Sequence, residues 1–308
     1  MRQPLVYVIV LNYNGRRWIE ACVAALSETR YDNFRVVLVD NGSSDGSVEL
    51  IRSGFSQVQI IANGDNLGFS EGNNAGIREA LASNADYVVL LNPDTKVQPE
   101  WLRELIAVAE TDHNLGVLGA VQLEYDSLEF NNWTRNAAGA FLEELKVPES
   151  ARNWIPMEWV EGSCFAVKRK VFEEAGLLDP IYFAFYEEID FCRRAACLGY
   201  KIALVPRSLV HHHRGGNWEA DSLIKRERNY RCDRGQFIYA STDPRNSAFR
   251  NLREYFVTLG TKLKEAMNGF SPTRLFDLAR IQIELVTMSG AIVGKWRRDR
   301  ARLVSENE

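Results

Sequence analysis

Two nucleotide-binding signatures are missing from this chain. Its first apolar run leads into Asn12-Tyr13-Asn14-Gly15-Arg16-Arg17 with no Gly-x-Gly-x-x-Gly, which argues against a nicotinamide cofactor. There is no Walker loop either. Cysteine is scarce and odd in number: five in 308 residues, without paired metal spacing. That usage fits reduced, partly buried thiols and predicts a cytosolic protein. Long apolar runs are absent. Residues 6–11 are cut off by Asn12, Tyr13 and Asn14 and lack a cleavage site, so they predict a strand rather than a signal peptide or membrane span. Charge of one sign is absent too: the net charge of -4 gives no global reason to expect nucleic acid as a partner. No internal repeat is visible.

What remains is ordinary for a soluble globular protein, 46% hydrophobic and 25% charged, and long enough for one large domain or two smaller ones. Apolar runs at 6–11, 34–39, 58–62 and Tyr87–Leu91 predict four strands. Helical spacing separates them: Trp18, Ile19, Cys22 and Leu26; then Val48, Leu50 and Ile51; then Ile77, Ala80 and Leu81. Alternation of this kind predicts an α/β fold with a doubly wound, mostly parallel, Rossmann-like sheet. Further strands are expected at 116–123, 159–167 and 202–205, the last closed by Pro206. Helices are expected at Arg169–Ala175 and at 190–198, ended by Gly176 and Gly199. Residues 126–152 read as loops or a short antiparallel excursion. Beyond about 220 the chain reads as helical, with Pro244 and Pro272 as breakers.

The chemistry gathers at strand ends. Asn12-Tyr13-Asn14, Asp40-Asn41-Gly42, Asn66-Leu67-Gly68 and Asn92-Pro93-Asp94 put polar turns at one edge of one sheet, the place where such sheets bind nucleotides. Asp40 can accept from a base N–H or a ribose hydroxyl, or simply cap the next turn. Asp94, stranded by Pro93, suits a hard divalent cation that also holds phosphate oxygens, or caps the following helix. Glu187, Glu188 and Asp190 crowd a helix start, where repulsion raises a carboxylate pKa toward that of a general base. They also suit the helix dipole and pairing with Arg193 or Arg194. The aromatics Tyr182, Phe183, Phe185 and Tyr186 ahead of them read as a sugar-stacking wall or as core. His211, His212 and His213 follow; alternate sides of an extended segment let at most two share a site. The basic segment Lys295, Arg297, Arg298, Arg300 and Arg302 reads as a peripheral contact with anionic lipid, or as the solvated end of a helical face that forms a homodimer.

Taken in order, Val8-Ile9-Val10-Leu11-Asn12-Tyr13-Asn14, Val39-Asp40-Asn41-Gly42-Ser43-Ser44-Asp45-Gly46, Asn66-Leu67-Gly68-Phe69, Leu91-Asn92-Pro93-Asp94-Thr95, Gly162-Ser163-Cys164, Tyr186-Glu187-Glu188-Ile189-Asp190 and Val210-His211-His212 resemble family 2 glycosyltransferases, in the rhamnosyltransferase-like and galactofuranosyltransferase-like branch. The resemblance covers about residues 5 to 216. It implies a GT-A fold over 1–218 with a C-terminal helical region at 219–308, a nucleotide-diphosphate sugar donor, Mg²⁺ or Mn²⁺, and inversion at the anomeric carbon. Carried over by position, Asp40 holds the base or ribose, and Asn12, Asn14, Asn66 and Asn92 line the nucleotide pocket. Asp94 is the last residue of the Asp-x-Asp metal motif, with Asn92 in its first place and His212 as an added ligand. Glu188 takes the general-base position, where most relatives have Asp, with Glu187 or Asp190 beside the reacting carbon. The resemblance further implies dTDP-rhamnose first and UDP-sugars next as donor, a cell-surface glycan or lipid-linked acceptor, and a location in the cytoplasm or on the cytoplasmic face of the inner membrane. Rival classes are a sugar-nucleotidyltransferase, for which Arg16-Arg17 is a poor signature, and a non-catalytic sugar-nucleotide-binding protein.

Overall fold

The computed structural model describes residues 3–141, 143, 153–214 and 222–305. Strands and helices alternate through the first hundred residues: β1 (Val6–Asn12), α1 (Arg16–Ser27), β2 (Phe34–Asp40), α2 (Ser47–Gly54), β3 (Gln59–Ala62), α3 (Gly68–Ala82) and β4 (Tyr87–Leu91). These four strands run parallel in the order β3-β2-β1-β4. Strand side chains alternate between faces, and both faces are covered. Val8, Val10 and Leu38 pack with Ile19 and Cys22 of α1, whereas Ile9, Val37 and Val39 pack with Ile77 and Ala80 of α3.

The second half is mixed. β5 (Thr95–Val97), α4 (Trp101–Ala109), β6 (Leu115–Leu123), α5 (Asn132–Ala138), β7 (Ile155–Met157), β8 (Cys164–Lys168), α6 (Arg169–Ala175), α7 (Glu187–Cys197) and β9 (Lys201–His212) follow. They extend the sheet as β4-β8-β6-β9-β5, with β8 antiparallel to β4 and β6, and β7 paired to β9. Three expectations are corrected here. Pro206 does not close the last strand: pairing slips from Ala120↔Val205 to Val121↔Leu209, so the chain bulges past the proline and β9 runs on to His212. The strand expected at 159–167 begins only at Cys164. The helix expected from residue 190 begins at Glu187, after Phe185 and Tyr186 turn the chain at φ of 69° and 76°.

Four helices follow among the described residues: α8 (Ser222–Ser241), α9 (Ala248–Asn268), α10 (Pro272–Thr287) and α11 (Ser289–Ser305). Ser247 and Ser271 cap α9 and α10 by accepting from the backbone N–H of Arg250 and Arg274. Tyr230, Phe237, Ile238, Ala266, Leu278, Ile281 and Leu285 form their core, and Tyr182 from the loop before α7 is buried in it. That settles Tyr182 as core. The boundary expected at 218/219 lies outside the described residues, as does 144–152 of the irregular stretch. The basic segment is divided: Lys295 is fully buried against Asp190 at 3.0 Å and Asp299 at 2.6 Å, Arg300 donates to the Asn246 carbonyl and Arg302 to that of Ala175, whereas Arg297, Arg298 and Arg300 are exposed. The lipid-facing reading therefore does not extend to Lys295. Among the described residues no helix is long and apolar enough to cross a membrane.

Candidate active site

The parallel strands end together, and their turns hold one another. Asn12 pairs in register with Asp40. Its amide donates to Asp40 Oδ1 at 3.3 Å, Ser43 Oγ at 3.0 Å and Ser47 Oγ at 2.8 Å. Asp40 Oδ2 accepts from the backbone of Gly42 and Ser43. Asn14 Oδ1 accepts from Ser44 N, tying the first turn to the second. Asn66 Oδ1 accepts from Asn41 and from Gly68 N, tying the second to the third. Gly15 is forced: a Cβ there would lie 2.4 Å from Asn12 Oδ1 and 3.7 Å from Pro93. So the Asn92-Pro93-Asp94 turn abuts the first, and Asn92 N donates to the Ser163 carbonyl. All of the asparagines expected at the nucleotide pocket, with Asp40, thus stand along this edge.

Asp94 and His212 meet because β5 pairs with β9, setting Thr95 opposite His212. Three residues of strand are too few to show as a periodic pattern, so this pairing was not legible beforehand. His212 Nε2 lies 3.4 Å from Asp94 Oδ1, and both side chains are nearly buried. Gln122 fixes the ring. Its amide nitrogen donates to Ser163 Oγ at 2.5 Å, so its Oε1 accepts, from Asn131 and at 2.9 Å from His212 Nδ1. The proton belongs on Nδ1, and the Nε2 lone pair faces the carboxylate. Two acceptors aimed at each other call for a proton or a cation between them. With a proton there the ring is charged, and its contact and charge outweigh the burial that opposes ionisation of Asp94 and hold that pKa below the ordinary carboxylate value. Imidazole nitrogen plus carboxylate oxygen suits Mn²⁺ and, less closely, Mg²⁺. Among the described residues no third histidine, cysteine or carboxylate joins the pair, so phosphate oxygens and water would fill the remaining shell. The other two histidines are used elsewhere. His211 contacts Gln98 and the Glu124 carbonyl, and His213 stacks on Trp18 at 4.1 Å.

Residues 161–163 connect this pair to the carboxylates of α7. Glu161 Oε2 stands 3.9 Å from His212 Nδ1, and its other oxygen accepts from Arg214 at 2.8 Å. A Cβ on Gly162 would lie 3.8 Å from that of Glu188. The loop before α7 is pinned to the third turn as well. Phe69 N donates to the Phe183 carbonyl, and Gly68, at φ 79°, leaves no room for a Cβ against that same oxygen. Glu188 is half-buried, with one carboxylate oxygen lacking a hydrogen-bond partner. Burial raises its pKa to about 7, with the charge of Glu161 adding to the rise. Glu187 is buried more deeply, and burial together with the charge of Glu188 lifts it well above the ordinary range. At neutral pH Glu188 sits near its midpoint.

Asp190, expected beside the reacting carbon, is placed elsewhere. It is fully buried and accepts from Arg193 at 3.1 Å, Arg194 at 2.9 Å and Lys295 at 3.0 Å. Burial opposes its ionisation, but the charges of Lys295, Arg194 and Arg193 outweigh it and push its pKa far below the carboxylate range. It ties α7 to α11 and has no face toward the cleft solvent. Gln122 and Glu161 were not singled out from the sequence. The signal for Gln122 was there, one polar residue in a wholly buried nine-residue strand. Glu161 had none beyond standing next to Gly162-Ser163.

The mixed, mostly parallel sheet covered by helices is the fold of GT-A glycosyltransferases. Residues 7–176, more than half of the chain, match the model of glycosyl transferase family 2, and the chain belongs to that family. A Haloferax volcanii protein described as low-salt glycan biosynthesis hexosyltransferase Agl10 is 30% identical over 194 residues, 61% of this chain and 60% of the relative, so the match spans less than two thirds of that protein. The Mycobacterium tuberculosis N-acetylglucosaminyl-diphospho-decaprenol L-rhamnosyltransferase is 26% identical over 234 residues, 67% of this chain and 75% of its own. The Shigella flexneri dTDP-rhamnosyl transferase RfbF is 22% identical, covering 67% and 68%. In fold, the chain is similar to a Pyrobaculum calidifontis mannosyltransferase solved with GDP-Man and Mn²⁺ (TM-score 0.60, 17% identity, 99% of this chain and 87% of that one). It is also similar to Staphylococcus aureus TarS 1-349 with UDP (TM-score 0.58, 14% identity, 98% and 90%).

Proposed function

We propose that the protein is an inverting, metal-dependent glycosyltransferase that moves L-rhamnose from dTDP-rhamnose to a hydroxyl of a glycan or lipid-linked acceptor. The sugar and acceptor class are supported by two relatives named as rhamnosyltransferases, one of them on a diphospho-decaprenol carrier. A UDP-sugar is the next donor in line. The observation that carries the reading is Glu188: a half-buried carboxylate with an unpaired oxygen and a pKa of about 7, joined through residues 161–163 to Asp94 and His212.

Asp40, with Asn12, Asn14, Asn66 and Asn92 along the same edge, holds the nucleoside. Its carboxylate accepts from a base N–H or ribose hydroxyl, and the fixed asparagines supply the remaining polar contacts. Mg²⁺ or Mn²⁺, held by Asp94 and His212, would supply positive charge against the leaving diphosphate. Glu188 takes the proton from the acceptor hydroxyl, and the freed oxygen attacks the anomeric carbon from the face opposite the diphosphate. A base with a pKa near the operating pH is the efficient one for that transfer. Glu187 beside it is disfavoured as a second negative charge by burial and by the charge of Glu188.

Glu188→Gln tests the role. The variant is expected to bind donor as the native protein does, read by a nucleotide-sugar thermal shift, and to lose turnover. Near-native turnover with a defined acceptor would end the assignment. The same thermal-shift screen, run over nucleotide sugars with Mg²⁺, Mn²⁺ or chelator, identifies the donor.

A further inference from the structure

The apolar residues of α9 divide into two rows. At 100° per residue, Tyr255, Leu259 and Ala266 point to the helical core, where they pack. A second row, Phe249, Leu252, Phe256, Leu263 and Met267, lies within an arc of about 80° beside the first. It faces solvent, with exposures of 80%, 52%, 58%, 38% and 64%. Gly260 falls on the same row and keeps it flat. The row runs the length of a 21-residue helix and reaches Phe270, 92% exposed, in the turn to α10. On α10, Phe276, Ile283 and Val286 are exposed as well, at 65%, 69% and 72%. Apolar surface on this scale on one helix pair marks an interaction site.

The charges beside the row are of one sign. Arg253 and Lys264 are exposed along its free edge, within about 90° of the row's centre, with exposed Arg250 about 125° from it, and the acids Glu254 and Glu265 lie behind them. Arg253 approaches Glu254 only at 3.5 Å, with 68% of its side chain exposed. The opposite edge is the helical core. A second copy of the chain would bring the same cations and no acidic row to meet them. We propose that the exposed row of α9, with its Arg250, Arg253 and Lys264 edge, docks the protein on an anionic lipid bilayer surface, lying in the interface rather than crossing it. An apolar face a few ångströms deep, flanked by cations at headgroup level, is the geometry of an interfacial helix. The surface uses none of the residues assigned to sugar transfer, so it stands or falls independently of that reading.

Vesicle flotation with the purified chain tests it. Recovery is expected with vesicles of phosphatidylcholine and phosphatidylglycerol, weak with phosphatidylcholine alone, and falling as salt rises. Arg250→Gln with Arg253→Gln should weaken partitioning about 25-fold, about fivefold for each cation removed. Phe256→Ser with Met267→Ser should bring recovery down to the level without lipid. Both pairs are solvent-exposed, and unchanged circular dichroism and melting separate lost docking from lost folding. Recovery no better with anionic vesicles than without lipid would overturn the proposal. So would native recovery of the Phe256/Met267 variant, or a native dimer that this variant converts to monomer without any lipid dependence.

Discussion

The first turn of α7 faces two regions of opposite character. On the cleft side, Glu187, Glu188 and Glu161 stand near one another, and Arg214 pairs with Glu161. On the side of the C-terminal helices, Asp190 meets Arg193, Arg194 and Lys295 at once, and Asp299 and Asp179 balance the excess. Residues i and i+2 of a helix do not share a face, so carboxylates two apart enter different environments. Both environments are buried, yet Glu188 rises to about 7 while Asp190 falls far below its ordinary value. Burial alone therefore does not set the outcome. Countercharge does, and it is withheld where a proton must move and supplied in full where helices must be joined.

Removing each acid should separate the two regions. Glu188→Gln should cost turnover most, up to about ten-thousandfold, the upper range for a lost general base, with donor affinity retained. Asp190→Asn should leave Lys295, Arg193 and Arg194 undercompensated. Its expected cost is about 3–5 kcal/mol of folding stability, read by urea unfolding, with any loss of rate tracking the unfolded fraction. Stability should then respond to pH with opposite signs. Glu188 has a folded pKa of about 7 against an ordinary 4.5. Its contribution is complete below the lower value and lost as pH rises through the higher one. At about pH 8 Glu188→Gln should therefore melt above the native protein, and at about pH 4 alongside it. Asp190, held below its ordinary 3.8, contributes fully above that value and loses the contribution as pH falls beneath it. The smallest effect is expected from Glu161→Gln. It removes a charge that raises Glu188 and should move the acidic limb of the rate profile down by less than about one pH unit.

Much of this was readable in the chain. Four apolar runs with helical spacing between them specify the parallel half of the sheet, because a strand covered on both faces must be apolar throughout. The polar turns after them follow from that register. Legibility failed where a contact depends on distant pairing. Thr95–Val97 is too short for a period, and only its pairing with β9 shows that His212, not His211 or His213, faces Asp94. Pro206 reads as a stop but sits in a bulge. Asp190 and Lys295 are 105 residues apart, so their ion pair leaves no local trace, and nothing local separates buried Lys295 from its exposed neighbours Arg297 and Arg298. The exposed row of α9 was hidden because it shares the helix with a second, buried apolar row.

The pH dependence of kcat tests the central claim most directly, that Glu188 is a base held near neutrality by a site short of countercharge. With saturating donor, acceptor and metal, the rate should rise about tenfold per pH unit from the acid side and level off near pH 7. The residual rate of Glu188→Gln should show no such limb. A native profile that is flat from about pH 5 to 8, or an unchanged limb near pH 7 in Glu188→Gln, would contradict the account.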